Sequence, residues 1–140
     1  MAAALCYGVR GGGAQLCFHV PAGNYDTERL IEVLGELRRF LGGEKATLLW
    51  DGLPAHRSTA MPAWLNTQRS WLVVERLPAY APELNPVEGL WSILKAVELA
   101  NLCGPTLGEV IAQAHHGIER VRGTPDLAYS FLRRAGLSVA

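Results

Sequence analysis

Cysteine is scarce and poorly placed for chemistry. Cys6, Cys17 and Cys103 are unevenly spaced, and none forms a CxxC or Cys/His pair, so neither a disulfide framework nor a zinc site is suggested and a reducing cytoplasm fits best. An excess of charge of either sign is also lacking. Thirteen basic residues balance 13 acidic ones, so any contact with a polyanion must come from a local patch. Long hydrophobic runs are missing too. The start, MAAALCYGVRGGG, has no basic segment ahead of its apolar residues, and Arg10 and the glycines end that run too early to cross a membrane. The expectation is a soluble, cytoplasmic protein with no membrane partner. There is no internal repeat, low-complexity tract or linker, and 140 residues suffice for one ordinary core that removes about two-thirds of the unfolded surface from water. One domain over 1–140 is expected.

What is present reads as strands first and helices after. Residues 2–9 and 15–20 are short apolar runs separated by RGGGA, whose glycines supply the positive φ angles of a tight reversal, so an antiparallel hairpin is predicted. Residues 24–43 place Leu30, Ile31, Leu34, Leu37 and Leu41 at three- and four-residue spacing, open on Asp26 or Thr27 as a cap and stop at Gly42-Gly43, which predicts an amphipathic helix. KATLLW (45–50) is a buried-strand pattern that leaves Asp51 at its carboxyl end. A short helix over 59–68 capped by Ser58 and a strand over 71–77 follow, giving the order ββαβαβ. Three helices over 86–101, 106–123 and 125–137 close the chain, the first with Leu90, Ile93, Leu94 and Val97 as its apolar stripe.

In open α/β sheets, sites gather outside the carboxyl ends of strands, which is where Asp51 sits and where the bend leading to Glu88 begins. Pro78, Pro82 and Pro86 restrict that bend. Each residue also has an ordinary reading. Asn85-Pro86-Val87-Glu88 is the pattern of a capping box, with Glu88 three residues after the cap. Asp51 before Gly52 can be an Asx-turn residue. His56 and Arg57, taken singly, are surface loop residues. His115-His116 has no carboxylate at ligand spacing and reads as surface or partly packed. The four tryptophans are mostly core candidates. Arg120, Arg122, Arg133 and Arg134 form either a patch for a nucleic-acid backbone or a solvated face.

The combination is more specific than its parts. LLWDGLPAHRS followed by LPAYAPELNPVEGLWSILK resembles the signature of mariner-type and bacterial insertion-sequence DDE transposases. Asp51, His56, Leu77, Pro78, Tyr80, Pro82, Leu84, Asn85, Pro86, Glu88, Trp91, Leu94 and Lys95 stand where that pattern asks, with 36 residues between Asp51 and Glu88. The resemblance covers nearly the whole chain. It implies an α/β fold, a ribonuclease H-like mixed sheet with flanking helices, and DNA as partner. It also implies two Mg²⁺ ions held by carboxylates, here Asp51 and Glu88 as catalytic and metal-ligating residues. Hard cations want oxygen ligands, and two of them about 3.5 to 4 Å apart activate a nucleophile and neutralise a leaving oxygen. Lys95 lies seven residues after Glu88 on the same helical face, where it contacts a phosphate or is simply solvated. His56, Arg57 and Asn85 complete the expected DNA-contacting set.

Such transposases use three acidic residues, the first on a strand ahead of the hairpin, and carry a helix-turn-helix region before the catalytic domain. No match to that first Asp is found. The earlier acidic residues, Asp26, Glu28, Glu32, Glu36 and Glu44, lie on or beside a helix. The expectation is an N-terminally truncated domain with the first strand missing and unpaired inner edges, in which the Mg²⁺ site is weak. Two readings stay open: a transposase catalytic domain that is incomplete in this chain, and a non-catalytic remnant that binds DNA, self-associates as a homodimer or associates with an intact transposase.

Overall fold

Six alternating residues on each side of a glycine turn set up the first pairing. Ala2–Tyr7 (β1) and Ala14–His19 (β2) run antiparallel with Leu5 opposite Leu16 and Ala3 opposite Phe18. Strand alternation puts these four on one face. The Gly8 N–H donates to the Gly13 carbonyl at 3.1 Å, and Gly13 has φ +78, the left-handed value that favours glycine. The computed structural model describes residues 1–10, 13–20, 23–51, 59–104 and 106–139.

Thr27–Phe40 (α1) starts where Asp26 accepts from the Arg29 N–H at 2.9 Å and buries Leu30, Leu34 and Leu37. Ala46–Trp50 (β3), Ala60–Thr67 (α2) and Leu72–Arg76 (β4) follow, with β3 and β4 parallel and Trp50 beside Arg76. Parallel neighbours require a crossover, which α2 provides. The expected Ser58 cap lies outside the described residues; the residue flanking α2 is Thr59, which makes no side-chain cap bond. Pro86–Val97 (α3), Leu107–Arg122 (α4) and Pro125–Arg134 (α5) complete the order ββαβαβααα. The expected elements are all present, with helix ends trimmed by a few residues. The predicted apolar stripe of α3 needs one correction. Val97 is 54% exposed, and it is Leu90 and Leu94 that are buried.

The frame is a mixed α/β fold compatible with the ribonuclease H-like class, but the expected single mixed sheet is divided. β1 pairs with β2 and β3 pairs with β4, each as a two-stranded sheet. The chain forms two compact units, Met1–Val20 with Pro82–Ala140, and Pro21–Ala81. In the first, the inner face of the hairpin meets α3, α4 and α5 around Leu16, Leu90, Leu94, Ile118, Val121 and Phe131. Leu90 and Ile118 are wholly buried, worth roughly 1.5–3 kcal/mol each. The Tyr7 hydroxyl donates to the Ala128 carbonyl of α5 at 2.8 Å, and burial, with Cys6 and Tyr129 nearby, pushes the phenol up to about 12. In the second unit Leu30, Leu34, Leu37, Met61, Trp71 and Leu72 are buried. The Trp71 indole N–H donates to Gln68 at 2.8 Å, and the Arg38 guanidinium lies 5.6 Å from its ring centre. Of the four tryptophans only Trp71 is fully buried; the other three are half-buried.

Among the described residues the three cysteines form no disulfide. Cys6 and Cys17 share the outer face of the hairpin, where burial first and then Cys17 push the Cys6 thiol up to about 11. A thiol held protonated in this way is a poor nucleophile.

Candidate active site

Asp51 is half-buried and directly follows the last residue of β3. The Leu77 N–H donates to the Trp50 carbonyl at 2.8 Å, extending the parallel ladder to the residue after β4. Asp51 and Leu77 therefore leave this sheet at the same carboxyl end. The chain then enters the proline-rich bend, where Tyr80 has φ +60 and full exposure. A left-handed backbone is uncommon for a residue of this size.

Glu88 is placed by what happens just before it. Pro82–Leu84 forms a single 3₁₀ turn, and the Asn85 N–H donates to the Pro82 carbonyl at 3.0 Å. Asn85 then caps α3, its side-chain oxygen accepting from the Val87 N–H at 3.2 Å, with Pro86 at the first helical position. In a capping box, the carboxylate three residues after the cap reaches back to the cap's N–H. Here that N–H is already used by the 3₁₀ turn. The Glu88 side chain is exposed, and among the described residues it takes part in no hydrogen bond or ion pair. The capping pattern in the sequence is thus only half realised: Asn85 caps and Glu88 does not.

The freed carboxylate lines a cleft of about 380 Å³ that lies wholly within the first unit, walled by the 3₁₀ turn, the first two turns of α3 and the end of α5. Gly89 makes the floor possible. A Cβ at that position would sit 2.8 Å from Phe131 Cδ1, so a glycine is what lets the buried Phe131 side chain of α5 approach α3 this closely. Sequence reasoning missed this wall. The available signal was a glycine beside Glu88 inside a strong helical pattern, which costs about 1 kcal/mol relative to Ala and usually marks a close approach. Asn85 and Ser92 also line the cleft, whereas Lys95, exposed on α3 two turns beyond Glu88, does not. His56 and Arg57 lie outside the described residues.

The four arginines of the last two helices separate into two kinds. Arg120 pairs with Glu98 at 2.7 Å, and Arg122 donates from two guanidinium nitrogens to the Leu16 carbonyl at 3.1 and 2.9 Å. Both serve the fold. Arg133 and Arg134 are exposed, and Arg134 lines the Glu88 cleft.

As a metal ligand, Glu88 offers the right donor, since Mg²⁺ is commonly held by one or two carboxylates with water and phosphate oxygens completing the shell. Among the described residues no group of three or more His, Cys, Asp or Glu side chains gathers into a closed cage. The donor chemistry fits a hard divalent ion held largely by water and substrate.

The mixed α/β frame, an acidic residue at a strand's carboxyl end and a second carboxylate in an open cleft are compatible with an endonuclease-type domain. The chain belongs to the DDE superfamily endonuclease family, whose family model matches residues 3–102, more than two-thirds of its length. Membership makes it a transposase- or endonuclease-type domain of a divalent-metal-dependent family with DNA as substrate. No curated protein matches the chain. Among the described residues no helix is long and apolar enough to cross a membrane.

Proposed function

We propose that this polypeptide is the catalytic portion of a mariner-type or insertion-sequence DNA transposase, which cleaves phosphodiester bonds and transfers strands with Mg²⁺, and that Asp51 and Glu88 are two of its carboxylate ligands. The observation that carries this reading is the release of Glu88 from helix capping by the Asn85–Pro82 hydrogen bond, which leaves the carboxylate in a cleft. The parallel pairing of β3 and β4 adds support, since Asp51 and the segment leading to Glu88 leave that sheet at the end where α/β sites collect. Bound Mg²⁺ supplies charge neutralisation and an activated oxygen nucleophile. The chain's own residues supply oxygen ligands and hold the DNA backbone, a role assigned to Lys95, His56, Arg57 and the amide of Asn85.

The third carboxylate that the resemblance calls for is not on β1 or β2, whose sequences AAALCY and AQLCFH carry no acid. In this reading another segment or a partner chain supplies it, and the 140-residue polypeptide does not cleave DNA alone. The acid-free sequences of β1 and β2 equally support a second reading, a non-catalytic remnant that binds DNA, forms a homodimer or associates with an intact transposase.

Mn²⁺ binding followed by electron paramagnetic resonance tests whether Asp51 and Glu88 act as ligands of one ion. Asp51→Asn and Glu88→Gln should each weaken binding, and the double variant should lose little more than either. Purely additive losses, or no loss, would mean the two residues do not hold one ion. Nicking of supercoiled DNA by this polypeptide that disappears in Asp51→Ala would exclude the remnant reading.

A further inference from the structure

Among the described residues Arg134 is the one cation whose side chain lines the Glu88 cleft, and it comes from α5, beyond the matched residues 3–102. It shares the cleft with Glu83 and Glu88, yet among the described residues it forms no ion pair with either and no hydrogen bond. Arg120 and Arg122 of α4 are both consumed by the fold. Among the described residues the cleft thus presents a carboxylate and a guanidinium without protein partners, together with the Gly89–Phe131 contact and the Ser92 side chain one turn beyond Glu88.

We propose that Arg134 is the phosphate-holding residue of this cleft, gripping the non-bridging oxygens of a DNA phosphate. The inference rests on the reading of Glu88 as a metal ligand. The planar fork of a guanidinium matches two phosphate oxygens at once, and it stays charged at any working pH. A carboxylate alone would repel a phosphodiester; a divalent ion on Glu88 and a guanidinium opposite convert the same cleft into an anion site. The packing of Phe131 against Gly89 fixes the end of α5 against α3, so the position of Arg134 relative to Glu88 is set by the buried core of the first unit. Arg134 therefore contacts the substrate itself and aligns its phosphate with the carboxylate ligand Glu88.

Arg133 supplies an internal control. It has the same charge, lies on the same last turn of α5 and is exposed, but does not line the cleft. Both arginines complement the helix dipole equally. The test is fluorescence anisotropy of a short labelled duplex against salt concentration, with Mn²⁺ present, for the wild-type chain, Arg134→Gln and Arg133→Gln. Arg134→Gln should weaken binding about five- to ten-fold and lower the slope of log K against log salt by about one, while Arg133→Gln changes both much less. Equal effects from the two variants, or none from either, would overturn the assignment, and so would a wild-type chain that does not bind DNA. Mn²⁺ titration without DNA separates this inference from the reading beneath it. Arg134→Gln should keep metal binding that Glu88→Gln loses. If Glu88→Gln keeps it as well, the metal-ligand reading and the assignment of Arg134 fall together. If Glu88→Gln loses it while the two arginine variants bind DNA alike, the assignment of Arg134 falls alone.

Discussion

Two helices of this protein open on the same pattern, a capping residue followed three positions later by glutamate, and only one of them closes the box. At α4 the Glu109 carboxylate accepts from the Thr106 N–H at 2.7 Å and from its hydroxyl at 2.9 Å, while the Thr106 hydroxyl accepts from the Glu109 N–H at 3.3 Å. At α3 Asn85 caps but Glu88 does not return. The difference lies upstream of both helices. The Asn85 N–H is taken by the Pro82 carbonyl through a proline-started 3₁₀ turn, whereas the Thr106 N–H is taken by Glu109 itself. A carboxylate at this helical position is structural only if the cap's N–H is still unsatisfied. The turn before α3 therefore decides that Glu88 is available for other work.

The comparison implies that α3 is fixed at its start by packing as well as by its cap, and the largest test removes that packing. Phe131→Ala should cost about 3–5 kcal/mol in urea denaturation, because Phe131 is buried against the bare backbone of Gly89. A loss near 1 kcal/mol or less would mean the floor collapses freely and does not hold α3 and α5 together. Smaller effects come from the caps. Asn85→Ala and Thr106→Ala should each cost about 1 kcal/mol, since each removes one side-chain bond to an otherwise unsatisfied backbone N–H. Thr106→Ala should be the more costly, because it also takes the hydroxyl donor from Glu109. The reverse order would place the tighter cap at α3.

Much of the frame was legible in the sequence because its signals are local. Helix periodicity locates α1 through Leu30, Leu34 and Leu37, glycines mark the hairpin, and of the two candidate caps, Asp26 and Thr27, it is Asp26 that bonds the Arg29 N–H. Asp51 at a strand's carboxyl end followed from the abrupt change after KATLLW. Three features were not legible, and each depends on residues far apart in the chain. The division of the strands into two sheets is a pairing outcome that alternation within a strand does not determine. The roles of the four arginines split on tertiary partners: Glu98 for Arg120 and the Leu16 carbonyl, 106 positions away, for Arg122. The cleft wall from α5 depends on Gly89 meeting Phe131. The capping pattern at Glu88 is half realised for a different reason, since the competing acceptor, the Pro82 carbonyl, is close in sequence but its hydrogen bond is a matter of geometry that residue types alone do not specify.

The finest test of the comparison uses pH. The Thr106 backbone N–H, and then its hydroxyl, hold the Glu109 carboxyl below the ordinary glutamate value. A group whose folded-state pKa is depressed contributes stability above its unfolded value and loses it as pH falls through the folded one. The stability difference between the wild-type chain and Glu109→Ala should therefore be present at neutral pH and shrink on acidification, read from thermal denaturation midpoints between neutral pH and about pH 3. Glu88→Ala at neutral pH should change stability by less than about 0.5 kcal/mol, as for an exposed side chain without partners. If Glu88→Ala instead lowered the neutral-pH midpoint as much as Glu109→Ala, Glu88 would be closing its own box in solution. The cleft would then have lost the carboxylate on which its chemistry depends.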